Sequence, residues 1–332
     1  MRSVLIAAGC FVALGCAVMP ASAGMEQAKV ALPSPIISFA AEYIAEAMFF
    51  KAQELDVTAM DIAGIGSINS VISGSMDFAF STGSSMTRAA AKGQRLLAIA
   101  TLSTEPGEFA VVRKDIADAM HFDPKAPLAV RAQLLKGHSF GVGGIGTIGD
   151  AFLRVFAKAG GVDPKDFVVA GLQPPEILAA MSRKAIDGFA LGPPWAQQVT
   201  LDGTGVVIAS GVDGDPPGYS PAASALLVTR PELCAQHRSI CVKMGHSMTL
   251  ATHYIHEHPK ESIAILAKRF PNIEPRVLES AFAVVTKTTP VPPAPSTLQF
   301  QNGDKINLDA GFIKADEVLP SYDGLFTTEF AQ

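Results

Sequence analysis

Ala63-Gly64-Ile65, a helical stretch ending at Ser75-Met76, and then Asp77-Phe78-Ala79-Phe80 before a glycine turn form a unit that the chain uses twice. It returns about 110 residues later as Ala170-Gly171-Leu172, a helical stretch ending at Ala185-Ile186, and Asp187-Gly188-Phe189-Ala190-Leu191. Solenoid repeats run at about 20–50 residues, so this spacing predicts two similar lobes instead, each with its own sheet. Two lobes imply a cleft between them. Asp77 and Asp187 read as residues that cap a helix end or start a strand, a routine place for Asp, and not as ligand contacts.

Outward from this unit, short apolar runs alternate with longer helical stretches, the pattern of an α/β fold with mostly parallel strands. The runs predict strands at 28–32, 57–62, 77–81, 96–101, 109–113, 139–142, 167–170, 188–191, 205–210 and 224–229. Ligands of such sheets bind outside the carboxyl ends of the strands. Four of these ends look alike: Pro33-Ser34-Pro35-Ile36-Ile37-Ser38, Ser81-Thr82-Gly83-Ser84-Ser85, Gly143-Gly144-Ile145-Gly146-Thr147 and Gly192-Pro193-Pro194-Trp195. Three of the four lead into a helix from Ser or Thr, and Thr147 with Asp150 comes close to a capping box. Helix starts offer unpaired N–H groups and a partial positive charge. Aimed into one cleft, they would hold a small anion without Lys or Arg. The candidate ligand-binding residues are therefore Ser34, Ser38, Ser81, Thr82, Ser84, Ser85, Gly144, Gly146, Thr147, Pro193 and Trp195. Trp195, the only tryptophan, reads equally as lobe core or as an aromatic wall whose surroundings would change on closure. Arg88, three residues after Ser85, reads either as a group that reaches the cleft or as one on an exposed face.

The amino terminus is a different kind of segment. Met1-Arg2-Ser3, the apolar stretch 4–18 and Pro20-Ala21-Ser22-Ala23 match a secretory signal peptide cleaved before Gly24. The apolar stretch is shorter than the roughly 20 residues of a membrane span. Cys16 after Ala13-Leu14-Gly15 offers a rival lipidation reading, for which Ala13 is a poor match. About 309 residues would remain, enough for two ordinary domains. A hydrophobic content of 48% with 17% charged residues describes a well-buried globular chain, and a net charge of -5 gives no basic footprint for nucleic acid. Of four cysteines, Cys234 and Cys241 would survive cleavage, an even pair in an oxidising compartment. On one continuous helix they would stand about 10 Å apart along the axis, beyond bridging range. A disulfide therefore requires a chain break between them, for which Pro231 and Ser239 supply the signals.

At this point the residues carry a resemblance. Ile72-Ser73-Gly74-Ser75-Met76-Asp77-Phe78-Ala79 with Lys92-Gly93-Gln94 resembles the first lobe of the substrate-binding proteins of nitrate, taurine and alkanesulfonate ABC importers. In the second lobe, Leu135-Lys136-Gly137-His138-Ser139-Phe140-Gly141-Val142, the turn into Thr147, Asp163-Pro164-Lys165-Asp166, Ala185-Ile186-Asp187-Gly188 and Gly192-Pro193-Pro194-Trp195 follow that family's order. So does His256-Glu257-His258-Pro259 before Ala264-Ile265-Leu266-Ala267. The resemblance covers nearly the whole mature chain. It implies a type II periplasmic-binding fold with crossovers near 109–113 and 224–229, lobe 1 comprising 24–110 and 227–332 and lobe 2 comprising 111–226. It further implies a monomeric periplasmic binding protein without a cofactor that hands a small, anionic ligand to an ABC permease and binds no nucleic acid. The family also holds thiamine-pyrimidine binders and an enzyme that builds the pyrimidine from its own His. This sequence departs from that enzyme, because its cysteines are not clustered for metal and no His lies in the four junctions.

Other readings are weaker. His246, His253, His256 and His258 crowd one helix, but no Asp, Glu or Cys completes a recognisable metal site there. Gly144, Gly146 and Gly149 stand in the order of a dinucleotide fingerprint, but no acidic residue ends the next predicted strand, 167–170. Gly137-His138-Ser139-Phe140-Gly141 fits Gly-x-Ser-x-Gly, but its Ser139 opens a predicted strand where a nucleophile elbow follows one. A sensor or an enzyme of the same fold stays open as an alternative, as does a neutral aromatic or pyrimidine ligand.

Overall fold

Val30, Ala31 and Leu32 are all buried, as a strand covered by helices on both faces requires. In the computed structural model, which describes residues 24–33 and 35–331, this run ends the first strand; the expected leader and Ser34 lie outside the described residues. The first part of the chain supplies β1 (Glu26–Leu32), α1 (Ala40–Met48), β2 (Leu55–Asp61), α2 (Gly66–Ile72), β3 (Phe78–Ser81), α3 (Gly83–Ala91) and β4 (Leu97–Ser103). The chain then crosses to β5 (Phe109–Arg113), α4 (Lys114–Ala119), α5 (Leu128–Arg131), β6 (Ser139–Val142), α6 (Ile148–Ala159), β7 (Val168–Gly171), α7 (Pro174–Ser182), β8 (Gly188–Leu191), α8 (Trp195–Leu201) and β9 (Gly205–Ser210). It returns through β10 (Ala225–Thr229), followed by α9 (Pro231–Gln236), α10 (Arg238–Glu257), α11 (Pro259–Arg269), α12 (Pro275–Thr288) and α13 (Thr297–Asp309).

The strands form two five-stranded sheets, ordered β2-β1-β3-β10-β4 and β7-β6-β8-β5-β9. The pairs among β1, β2 and β3, and among β6, β7 and β8, are parallel, whereas β10 and β5 run antiparallel to both of their neighbours. Four strands of each sheet therefore point one way, and the fifth is inserted in reverse by the crossing chain. This is the expected α/β two-lobed architecture, with sheets that are mixed because of that inserted strand.

Alternation along the strands gives each sheet two core layers. Val30, Leu32, Phe78 and Phe80 face one layer of lobe 1, while Ala31, Ala79, Leu226 and Val228 face the other. In lobe 2, Phe140, Val142, Ala110 and Val112 face one layer, and Val111, Phe189 and Leu191 the opposite one. Cys234 and Cys241 are bridged with Cα atoms 5.5 Å apart. The chain break that permits this is His237, which separates α9 from α10. Among the described residues, no helix is long and apolar enough to cross a membrane.

Candidate functional site

A cavity of about 90 Å³ opens where the carboxyl ends of β1, β3, β6 and β8 face one another. From lobe 1 it is lined by Pro33, Ile36, Ser38, Phe39, Gly64, Ile65, Ser67, Ile68, Phe80, Ser81, Thr82, Ser85 and Ser103. Gly143, Thr147, Ile148, Gly149, Ala190, Leu191 and Gly192 line it from lobe 2. Its floor is Gly107 and Glu108 from one crossover and Ser224 from the other. The two crossovers are bonded together there: Ala222 donates its N–H to the Thr104 carbonyl (2.7 Å) and Ser224 to that of Ser103 (3.0 Å). At roughly 10–15 Å³ per water-sized group, the space suits a small solute.

Of the expected residues, Ser38, Ser81, Thr82, Ser85 and Thr147 come together on this lining. Thr82 caps α3 by accepting from the Ser85 N–H at 3.1 Å, and its hydroxyl meets those of Ser84 and Ser85. Thr147 makes no capping bond; it donates to the Gly144 carbonyl at 2.6 Å, while the buried Asp150 reaches back to the Gly146 N–H at 2.9 Å. Ser84, Gly144, Gly146, Pro193 and Trp195 do not line the cavity. Ser84 is buried, and its carbonyl accepts from Asn307 at 2.7 Å. Pro193 acts through its backbone, accepting from the Ile37 N–H across the cleft at 2.9 Å. Trp195 is 7% exposed and packs in lobe 2 among Phe109, Ile177, Phe189 and Val199, so the core reading is the one the structure supports.

Arg88 does reach across. Its Nη2 donates to the Gly146 carbonyl at 2.5 Å, and its guanidinium lies 4.9 Å from the Phe312 ring, whose other partner is Arg154 at 5.5 Å. Arg88 thus ties the two rims of the cleft together without lining the cavity.

Glu108 is the residue that strand-end reasoning missed. It is 6% exposed, and burial pushes its carboxyl up to about 7. Among the described residues its side chain has no hydrogen-bond or ion-pair partner, and it is the one ionisable group on the lining. The signal that finds it is topological. Because β5 and β10 are inserted in reverse, their amino ends face the cleft, so the residues just before them, Glu108 and Ser224, occupy matching places on the floor.

Comparison with known proteins agrees with this geometry. The model of the NMT1-like family matches residues 35–270. A ligand-binding component of an ABC-type import system from Staphylococcus aureus, solved with zinc bound, is 18% identical with a TM-score of 0.73, over 92% of this chain and 98% of that one. The alkanesulfonate-binding protein SsuA from Xanthomonas axonopodis, bound to MOPS, is 18% identical with a TM-score of 0.68, over 90% of this chain and 97% of that one. The periplasmic nitrate-binding protein NrtA from Synechocystis is 19% identical with a TM-score of 0.64, over 76% and 69%. At these identities the likeness is one of fold. A nitrate/nitrite binding protein from Nostoc is 37% identical over 51 residues, a stretch spanning only 12% of its length.

Proposed function

The chain belongs to the NMT1-like family, and from that premise we propose that it is the solute-binding component of an ABC importer, exported to the periplasm by its leader. It encloses a small solute between its lobes as a monomer and presents the closed form to a membrane permease. One observation carries the reading: a single cavity is lined by residues that follow strands of both sheets, so a solute in it touches both lobes only when they meet. Closure then needs nothing beyond a shift of population toward the form the solute contacts best. The described lining holds one ionisable side chain and no Cys, His or Lys. That favours binding over covalent or acid–base turnover, which needs positioned partners.

The finer choice lies between a small anion of the sulfonate, nitrate or carboxylate class and a neutral aromatic or pyrimidine solute. The hydroxyls of Ser38, Ser81, Ser85 and Ser224 are the donors an anion would find, with Glu108 beside it. A thermal-shift screen across sulfonates, nitrate, carboxylates, amines and pyrimidines, followed by solution scattering on each hit, tests the proposal. A true solute at about 100 times its Kd adds roughly 2.7 kcal/mol of stability, reduces the radius of gyration, and is recovered unchanged after denaturation. Recovery of a converted product would replace the binding reading with an enzymatic one. Saturable binding without compaction would remove lobe closure from the mechanism.

A further inference from the structure

Several hydroxyls on the lining already spend their hydrogen within the protein. Ser67 donates its hydroxyl hydrogen to the Gly64 or Phe80 carbonyl (3.2 and 3.3 Å), Ser103 to that of Glu105 (3.4 Å) and Thr147 to that of Gly144 (2.6 Å). Thr82 donates to the Ser85 hydroxyl at 3.1 Å. A hydroxyl has one hydrogen and two lone pairs, so what these groups have left to offer is acceptance, and Thr82 already accepts from the Ser85 N–H. Glu108 adds two carboxyl oxygens with no protein partner among the described residues, and it is more than nine-tenths buried. Around them the wall is apolar, with Ile36, Phe39, Ile65, Ile68 and Leu191. Glu108 lines the cavity, so a solute that carries a donor can reach its carboxyl, where charge and polarity are otherwise costly to bury.

We propose that Glu108 is the polar anchor of the solute, and that the solute is a small organic nitrogen base, an amine, amidine or amino-heterocycle on a mostly apolar body. This rests on the solute-binding reading above and chooses within it. An N–H donor on such a base meets Glu108 directly, and a protonated nitrogen forms a charge-assisted bond, the stronger kind. The apolar body fills the space between the two rims. A sulfonate or nitrate would find the hydroxyls of Ser38, Ser81, Ser85 and Ser224, but it would also face the Glu108 carboxyl, without Lys or Arg on the described lining to neutralise it.

Benzamidine and benzoate share a ring and differ in the sign of their charge, so together they test the proposal on the intact mature protein. Thermal shift and calorimetry should show saturable binding of benzamidine, none of benzoate, and at least tenfold weaker benzamidine binding in Glu108→Gln. Preferential binding of benzoate overturns the proposal, particularly if Glu108→Gln retains it, because glutamine still offers a donor. Equal benzamidine affinity in wild type and Glu108→Gln overturns it as well. If the variant does not fold, the preference of the wild type between the two probes decides. Binding of nitrate or a sulfonate alone would refute the nitrogen base and keep the importer reading, whereas a failure of every solute class to bind would remove both.

Discussion

Glu42, on the first turn of α1, is 0% exposed, and neither of its carboxyl oxygens has a partner among the described residues. Burial, reinforced by the charge of Glu46, pushes its pKa up to about 8. The folded chain then holds a proton that the unfolded chain releases near the ordinary value of 4.5. The stability tied to that proton is present below 4.5 and is lost as pH rises through about 8, with Glu108 adding the same slope up to about 7. Glu42→Leu is expected to flatten this fall. In urea melts it should match the wild type near pH 4 and exceed it by on the order of 3 kcal/mol near pH 8.5; identical pH profiles would show that Glu42 finds a partner. Single residues were legible in the sequence only where a local rule applied. Ser38, Thr82, Ser85 and Thr147 follow strand ends, and they line the cavity. Trp195 obeyed the same rule of position, but its large apolar ring found more contact area inside lobe 2. Glu108 precedes its strand, and nothing in its neighbours Gly107 and Phe109 says that β5 runs in reverse.

At the scale of elements, the repeat has a bonded counterpart. Asp77 accepts from the Lys29 N–H at 2.9 Å and donates its own N–H to the Lys29 carbonyl; Asp187 does the same with Ser139 of β6. Arg230 after β10 donates to the Met76 carbonyl, and Arg113 of β5 donates to that of Ile186 at the matching place. The lobes differ in one respect: Arg113 also pairs with Asp187 at 2.9 Å, and the Ser139 hydroxyl adds a further bond to that carboxylate. Asp187→Ala is therefore expected to cost about 2 kcal/mol in chemical denaturation, against about 1 kcal/mol for Asp77→Ala, because only the former removes an ion-pair partner from a mostly buried guanidinium, which keeps Asp115 at 3.0 Å. Equal losses would mean that the Arg113 pair adds nothing. Strand positions were readable because apolar runs of four to seven residues between helical stretches leave few other readings. Strand direction was not, since the reversal of β5 and β10 is set by pairing between residues more than 70 positions apart, such as Phe109 with Leu191 and Leu226 with Ser81.

The whole molecule is held across the cleft at several points. Besides the bonds of Ile37 and Arg88, Arg276 on α12 pairs with Asp202 at 3.1 Å, Lys287 with Asp213 at 3.0 Å, and Lys158 on α6 with Asp309 on α13 at 2.7 Å. At the rim two backbones meet: a Cβ on Gly144 would lie 3.5 Å from the Gly64 Cα and 3.1 Å from a methyl of Thr147. Gly144→Val should accordingly hold the lobes apart, weakening solute binding at least tenfold and leaving the scattering profile unchanged when solute is added. Normal compaction in that variant would place the contact outside the closing movement. The location of the floor has a kinetic consequence. Points near a rotation axis travel least, so if the lobes close as proposed by turning about the two crossovers, opening separates Thr82 from Thr147 while Glu108 and Ser224, next to those crossovers, stay nearly still. A solute can then land on an accessible floor at a rate governed by diffusion, while its residence time is governed by how often the rims part. Residues that never touch the solute, Arg88 and Gly144 among them, would set how long it stays.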